Sequence, residues 1–153
     1  MIALEFNQNS YIESVKGTII EFIKSTVSDV EVVLAFPDIT GSNFSLSKPM
    51  IYVEFERELN LDIRKGRHNG RGSMTKRKLL TYSFQVITTG DKAAVMARDR
   101  TIEKISLQAI RQNELLSGKG LRKAETKYTG SYRVREGVHL ARLEFYCEIK
   151  FIN

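Results

Sequence analysis

The sequence has a single cysteine, Cys147, so an internal disulfide is excluded and a reducing interior such as cytoplasm suits it. It has two histidines, His68 and His139, and neither stands at metal-ligand spacing from Cys147 or from the other. No apolar run approaches the roughly 20 residues of a membrane helix, and the opening "MIALEFNQNS" lacks the basic end and apolar centre of a secretion signal. The G-x-S-x-G, P-loop and H-E-x-x-H patterns are all missing, and "GKG" at 118–120 lacks the remainder of a phosphate loop. What is left is ordinary: 42% hydrophobic and 27% charged residues over 153 positions, read as one soluble domain spanning 1–153.

The charge is unevenly placed. "RKGRHNGRGSMTKRK", residues 64–78, holds Arg64, Lys65, Arg67, Arg71, Lys76, Arg77 and Lys78 and no carboxylate, a local charge of +7. The rest of the chain has 24 − 7 = 17 basic against 18 acidic side chains, or −1. A nearly neutral body therefore carries one basic segment, and the net charge of +6 does not argue for general nucleic-acid binding.

Hydrophobic spacing supplies the elements. "IALEF" reads as a short strand, and Ser10 with Glu13 as a capping box. Ile12, Val15, Ile19, Phe22 and Ile23 then form the apolar face of a helix to about Thr26. "VEVVLAF", 30–36, is a β-branched strand stopped by Pro37, and 37–49 is loop chemistry between two prolines. In "MIYVEFERE", 50–58, Ile51, Val53 and Phe55 face one way, while Met50, Tyr52, Glu54, Glu56 and Glu58 face water. "LLTYSFQVITT", 79–89, turns Leu80, Tyr82, Phe84 and Val86 inward, so the two strands make a hairpin with an oversized tip at 59–78.

Asp91 is the expected N-cap of a second helix. That helix, with Val95, Ile102, Ile105 and Ala109 inward, runs to about Asn113, and Gly118 lies just beyond its end. "LRKAETKY" and "SYRVRE" read as strands about Thr129-Gly130. "VHLARLEFYCEIKFI" alternates throughout, with Ala141, Leu143, Phe145, Cys147, Ile149 and Phe151 inside. The fold class is α+β: a mostly antiparallel sheet, two helices packed on one face, a long hairpin tip and a C-terminal β-hairpin.

Catalytic chemistry finds little support. Cys147 belongs to the apolar register of its strand, where a small buried hydrophobe explains it better than a nucleophile. Asp38, Glu54, Glu56 and the Glu148-x-Lys150 pair resemble the carboxylate-and-lysine set of some metal-dependent nucleases. The fit is poor. The position after Glu54 that wants lysine holds Glu56, and alternation already explains Glu54, Glu56 and Glu58 as a wet strand face. The chain is therefore read as a non-enzyme with no catalytic, cofactor or metal residues.

The basic segment has three readings: a solvated loop, a phosphate-binding grip, or a segment that orders against an acidic neighbour. It has no aromatic residue to stack on bases, and its three glycines raise the entropy cost of ordering. The element order decides how these readings are weighed. A first helix, "KPMIYVEFE", a long tip, "TYSFQVITTGDKAAVMARDRTIEKISLQAI" and a closing hairpin, together residues 10–152, resemble the tail terminator (tail completion) proteins of long-tailed phages and contractile tail-like particles. The resemblance implies a virion protein, assembled in the host cytoplasm, that forms a ring, commonly a hexamer. The ring caps the head-proximal end of the tail tube, ends its polymerisation and prepares head joining.

Its implied partners are other copies of itself, the tail-tube protein and a head-completion or connector protein. A transient contact with DNA is allowed and no membrane is involved. By the same analogy the tip at 59–78, with Arg64, Lys65, Arg67, Arg71, Lys76, Arg77 and Lys78, is a docking arm toward the tube or a neighbouring subunit. Sheet edges, the 30–36 strand or the terminal hairpin, are candidates for subunit contacts. The alternatives are a small nucleic-acid-binding module using 64–78 and another head–tail connector protein.

Overall fold

The computed structural model describes residues 11–41, 43–61 and 75–152; Ser10, His68 and the "IALEF" strand lie outside them. Helix α1 (Tyr11–Thr26) buries Val15, Ile19, Phe22 and Ile23, as their spacing predicts. Strands β1 (Glu31–Val33), β2 (Met50–Asn60) and β3 (Thr75–Thr89) follow, then α2 (Lys92–Arg111), the short α3 (Asn113–Gly118), β4 (Arg122–Arg135) and β5 (Val138–Ile152). The five strands form one sheet in the order β1-β2-β3-β5-β4. All pairs are antiparallel except β1 with β2. This is an α+β fold, and among the described residues no helix is long and apolar enough to cross a membrane.

The helices cover one face. Leu80, Tyr82, Phe84 and Val86 of the central β3 are fully buried there, against Leu143, Phe145, Cys147 and Ile149 of β5 and the apolar sides of α1 and α2. Phe84 stacks on Phe145 with ring centroids 5.5 Å apart, and Phe55 meets Tyr82 edge-on at 5.4 Å. The Tyr82 hydroxyl donates to the Ile12 carbonyl at 2.7 Å, so its polar end ties the sheet to the first turn of α1.

Several elements depart from the expected boundaries. The strand expected over 30–36 lasts three residues, because its neighbour is parallel and the chain must cross over to begin β2. The crossover, 34–49, folds over the other face of the sheet. There Ile39, Met50, Ile87, Val138 and Leu140 form a second apolar cluster, so Met50 is buried rather than wet. Arg135 holds the crossover through the carbonyls of Ile39 and Gly41, and Thr89 bonds Leu46 at both its amide and carbonyl.

Asp91 stands at the N-cap of α2 without a side-chain cap bond, its carbonyl accepting the amides of Ala94 and Val95 instead. Ala94, not Val95, joins the buried face of α2. Beyond Arg111 the chain continues into α3, whose last residue is Gly118, and Asn113 donates to the Ala124 carbonyl at 2.6 Å. The two strands expected about Thr129-Gly130 are one strand. Gly130, at φ +142°, absorbs a bulge there, and the turn comes later at Glu136-Gly137.

Candidate functional site

The hairpin stem reaches further than alternation suggested. Leu59 pairs with Leu79 and Asn60 with Lys78 on one side of β3, while Thr75 through Lys78 pair with Ile152 through Ile149 on the other. Lys76, Arg77 and Lys78 are therefore strand residues, and the connection narrows from 59–78 to 61–74. Of the seven cations, Arg64, Lys65, Arg67 and Arg71 lie outside the described residues, as does the side chain of Lys76.

Arg77 and Lys78 leave the strand on opposite faces, and both meet carboxylates. Lys78 Nζ lies 2.8 Å from Glu58 and 5.6 Å from the centre of the Tyr11 ring. The Tyr11 hydroxyl donates to the other Glu58 oxygen. This places Glu58 on the helix face, not on the wet face with Glu54. A β-bulge between Phe55 and Arg57 reverses the alternation, so that Glu58 pairs with Leu80. Arg77 Nη1 is 3.8 Å from Glu148 on the opposite face.

The Lys78 hydrogen bond, followed by that of Tyr11, holds the Glu58 carboxyl below its ordinary value, and the Glu58 hydrogen bond raises Lys78. The lowered carboxyl gives stability that is fully present above about pH 4.5 and is lost as pH falls through its folded value. The raised ammonium gives stability that is fully present below about pH 10.5 and is lost above. The clamp thus works across the neutral range and fastens α1 to the base of the basic segment.

On the face away from the helices, three strands contribute a second set. Arg142 reaches Glu56 at 2.9 Å and Glu144 at 3.3 Å, and Arg57 lies 3.8 Å from Glu144. Ser83 donates to Glu56 at 3.1 Å, and Tyr146 donates to Glu144. Two arginines balance two glutamates, and Thr81, Ser83 and Glu144 are buried. The Glu144 carboxyl sits below its ordinary value, chiefly through the Tyr146 hydrogen bond and then through Arg57 and Arg142. Further along, Glu148 meets Lys123 at 3.5 Å as well as Arg77. Alternation foretold which side chains of β5 face outward; the partners from β2 depend on a register no local pattern gives.

This arrangement does not assemble the nuclease-like set. Asp38 accepts from the amide and hydroxyl of Thr40, 3.1 and 2.6 Å away, within its own turn. Glu56 is engaged by Arg142, and Glu148 by two cations. Among the described residues no three His, Cys, Asp or Glu side chains gather closely enough to hold a metal ion.

His139 is buried with Nε2 2.9 Å from the Gly90 carbonyl, where it can only donate, and so it braces a turn. Burial pushes the Cys147 thiol up to about 12, leaving it protonated and inert at neutral pH. Every buried polar side-chain atom among the described residues has a hydrogen-bond partner. Comparison with known protein-family models finds no match to this chain, and comparison with curated proteins finds none either.

Proposed function

We propose that this chain is a structural assembly protein of a phage or phage-like tail, forming a closed ring that caps the tail tube, ends its polymerisation and prepares head joining. The observation that carries the reading is the stem of the basic segment. Strands β2 and β3 run paired to Asn60 and from Thr75, and β5 flanks β3 along its whole length. The Tyr11–Glu58–Lys78 clamp locks α1 against the stem. A stem held this way is a firm base at one end of the sheet, as a docking arm requires. The charged groups of the outer face are spent on one another, a pattern suited to a protein that packs and not to one that does chemistry.

The test is mass in solution by light scattering, with tail length as the second readout. A hexamer of 17.5 kDa chains gives 6 × 17.5 = 105 kDa. A chain that stays at 17.5 kDa at all concentrations would overturn the ring. Tails of normal length made with a protein lacking residues 64–74 would overturn the docking role. Steeply salt-dependent DNA binding lost in an Arg64/Lys65/Arg67 to alanine variant would favour the nucleic-acid alternative.

A further inference from the structure

The helix side of the molecule carries a hollow of about 390 Å³ between α2 and β4, lined by Asp99, Ile102, Glu103, Ser106 and Tyr128. Its chemistry is one-sided. Asp99 is taken by Arg98, whose Nε and Nη2 both lie 2.9 Å from it. Glu103 has no hydrogen bond or ion pair among the described residues. The Tyr128 ring is half exposed at 50%. A carboxylate that lines the same hollow as a half-exposed tyrosine suits a guanidinium or ammonium, which can gain a charge-assisted hydrogen bond and a cation–π contact together. A phosphate or carboxylate ligand would meet Glu103 as a like charge, and an apolar one would desolvate it without return.

We propose that this hollow receives an arginine or lysine from residues 64–74 of a second copy of the chain. That segment supplies Arg64, Lys65, Arg67 and Arg71 with no carboxylate among them. Within one copy the segment would have to run fully stretched around the molecule to supply the cation. Residues 62–74 are tethered at Leu61 and Thr75, so their midpoint, seven residues from either end, extends no more than roughly 24 Å. Tyr128 pairs with Leu143, which pairs with Phe84. It therefore stands nine strand positions from Thr75, about 30 Å, and two strands further across, about 10 Å. A donor at one end of the molecule and an acceptor on its side form a heterologous contact, the kind that generates rings. The inference rests on the ring reading and names the contact that would close it.

The experiment uses a fluorescent peptide of residues 62–74 titrated into the full-length chain, with Glu103→Gln and Tyr128→Ala variants in parallel and their masses measured by light scattering. Both positions are solvent-exposed or edge-lying, and circular dichroism checks that the variants are folded. The expected result is peptide binding weakened roughly two- to five-fold by each substitution, with the oligomer dissociating at correspondingly higher protein concentration. Equal peptide affinity in all three proteins overturns the inference, as does an oligomer indifferent to both substitutions. A wild-type chain that is monomeric yet binds the peptide in a Glu103-dependent way removes the ring and keeps the hollow as a cation acceptor.

Discussion

Replacing Arg142 by methionine tests whether the outer-face network is an electrostatic unit. Among the described residues Arg142 is the one bonded to both glutamates, Glu56 at 2.9 Å and Glu144 at 3.3 Å. Methionine keeps most of the aliphatic stem and removes the charge. Glu56 has room to turn toward water, its side chain being 26% exposed; Glu144, at 10%, has little. Arg57, at 3.8 Å and largely exposed, is too distant to replace the lost bond. The loss is therefore mainly that of one charge-assisted hydrogen bond to a nearly buried carboxylate, about 2 kcal/mol, or roughly 4–8 °C in Tm for a chain of this size.

The sign with pH follows from Glu144, whose carboxyl is held below its ordinary value in the wild type. That contribution is fully present above about pH 4.5 and lost as pH falls through the folded value. The cost of the substitution should accordingly be greatest at neutral pH and shrink in acid. Urea titrations at both pH values, with Glu144→Gln and the double variant, give the coupling directly. A cost unchanged in acid, or a coupling below about 0.5 kcal/mol, would mean that the stem's packing and not its charge holds the face together.

Two further substitutions probe single contacts. Tyr82→Phe removes the 2.7 Å bond to the Ile12 carbonyl while keeping the ring against Phe55. It should cost about 1 kcal/mol, read as a lower urea midpoint at unchanged slope; an unchanged midpoint would mean that the tie to α1 carries no stability. Gly90→Ala places a Cβ at φ +131°, 3.3 Å from the Ala94 Cβ, in the turn that His139 braces. It should cost about 1–3 kcal/mol, and a melting temperature within about 1 °C of wild type would show that the turn relaxes freely.

Alternation carried most of the architecture. Leu80, Tyr82, Phe84 and Val86, like Leu143, Phe145, Cys147 and Ile149, lie where a period of two puts them, because both strands are flanked by partners that keep them straight. What escaped has physical causes. A bulge at Glu56 changes no residue's character, yet it reverses the face of everything beyond it, which is why Glu58 meets Tyr11 and not Glu54. Met50, Ile87 and Leu140 look wet until the crossover 34–49 covers them from far away in sequence. Lys76, Arg77 and Lys78 have the composition of a loop, and only pairing from both sides makes them strand. The hollow at Glu103 and Tyr128 exists because α2 lies along β4, a juxtaposition between residues 25 apart that no motif records.

The sheet edges bear on how copies of this chain would meet. Strand addition needs an unbroken run of outward amides and carbonyls, and both edges withhold one. β1 pairs over only three residues before the chain leaves the sheet. β4 is fourteen residues long, but shifts between Arg122 and Glu125, Tyr128 and Gly130, and Arg133 and Arg135 cut it into runs of about four. Its five basic side chains, Arg122, Lys123, Lys127, Arg133 and Arg135, would repel the same edge of a second copy and so oppose a two-fold β4–β4 pairing. Those features shorten the runs that either edge offers for strand addition. The contact proposed above, a basic side chain beside Glu103 and Tyr128, would instead join copies through side chains. A ring built this way should weaken with added salt, whereas one built on shared strands should be nearly indifferent to it.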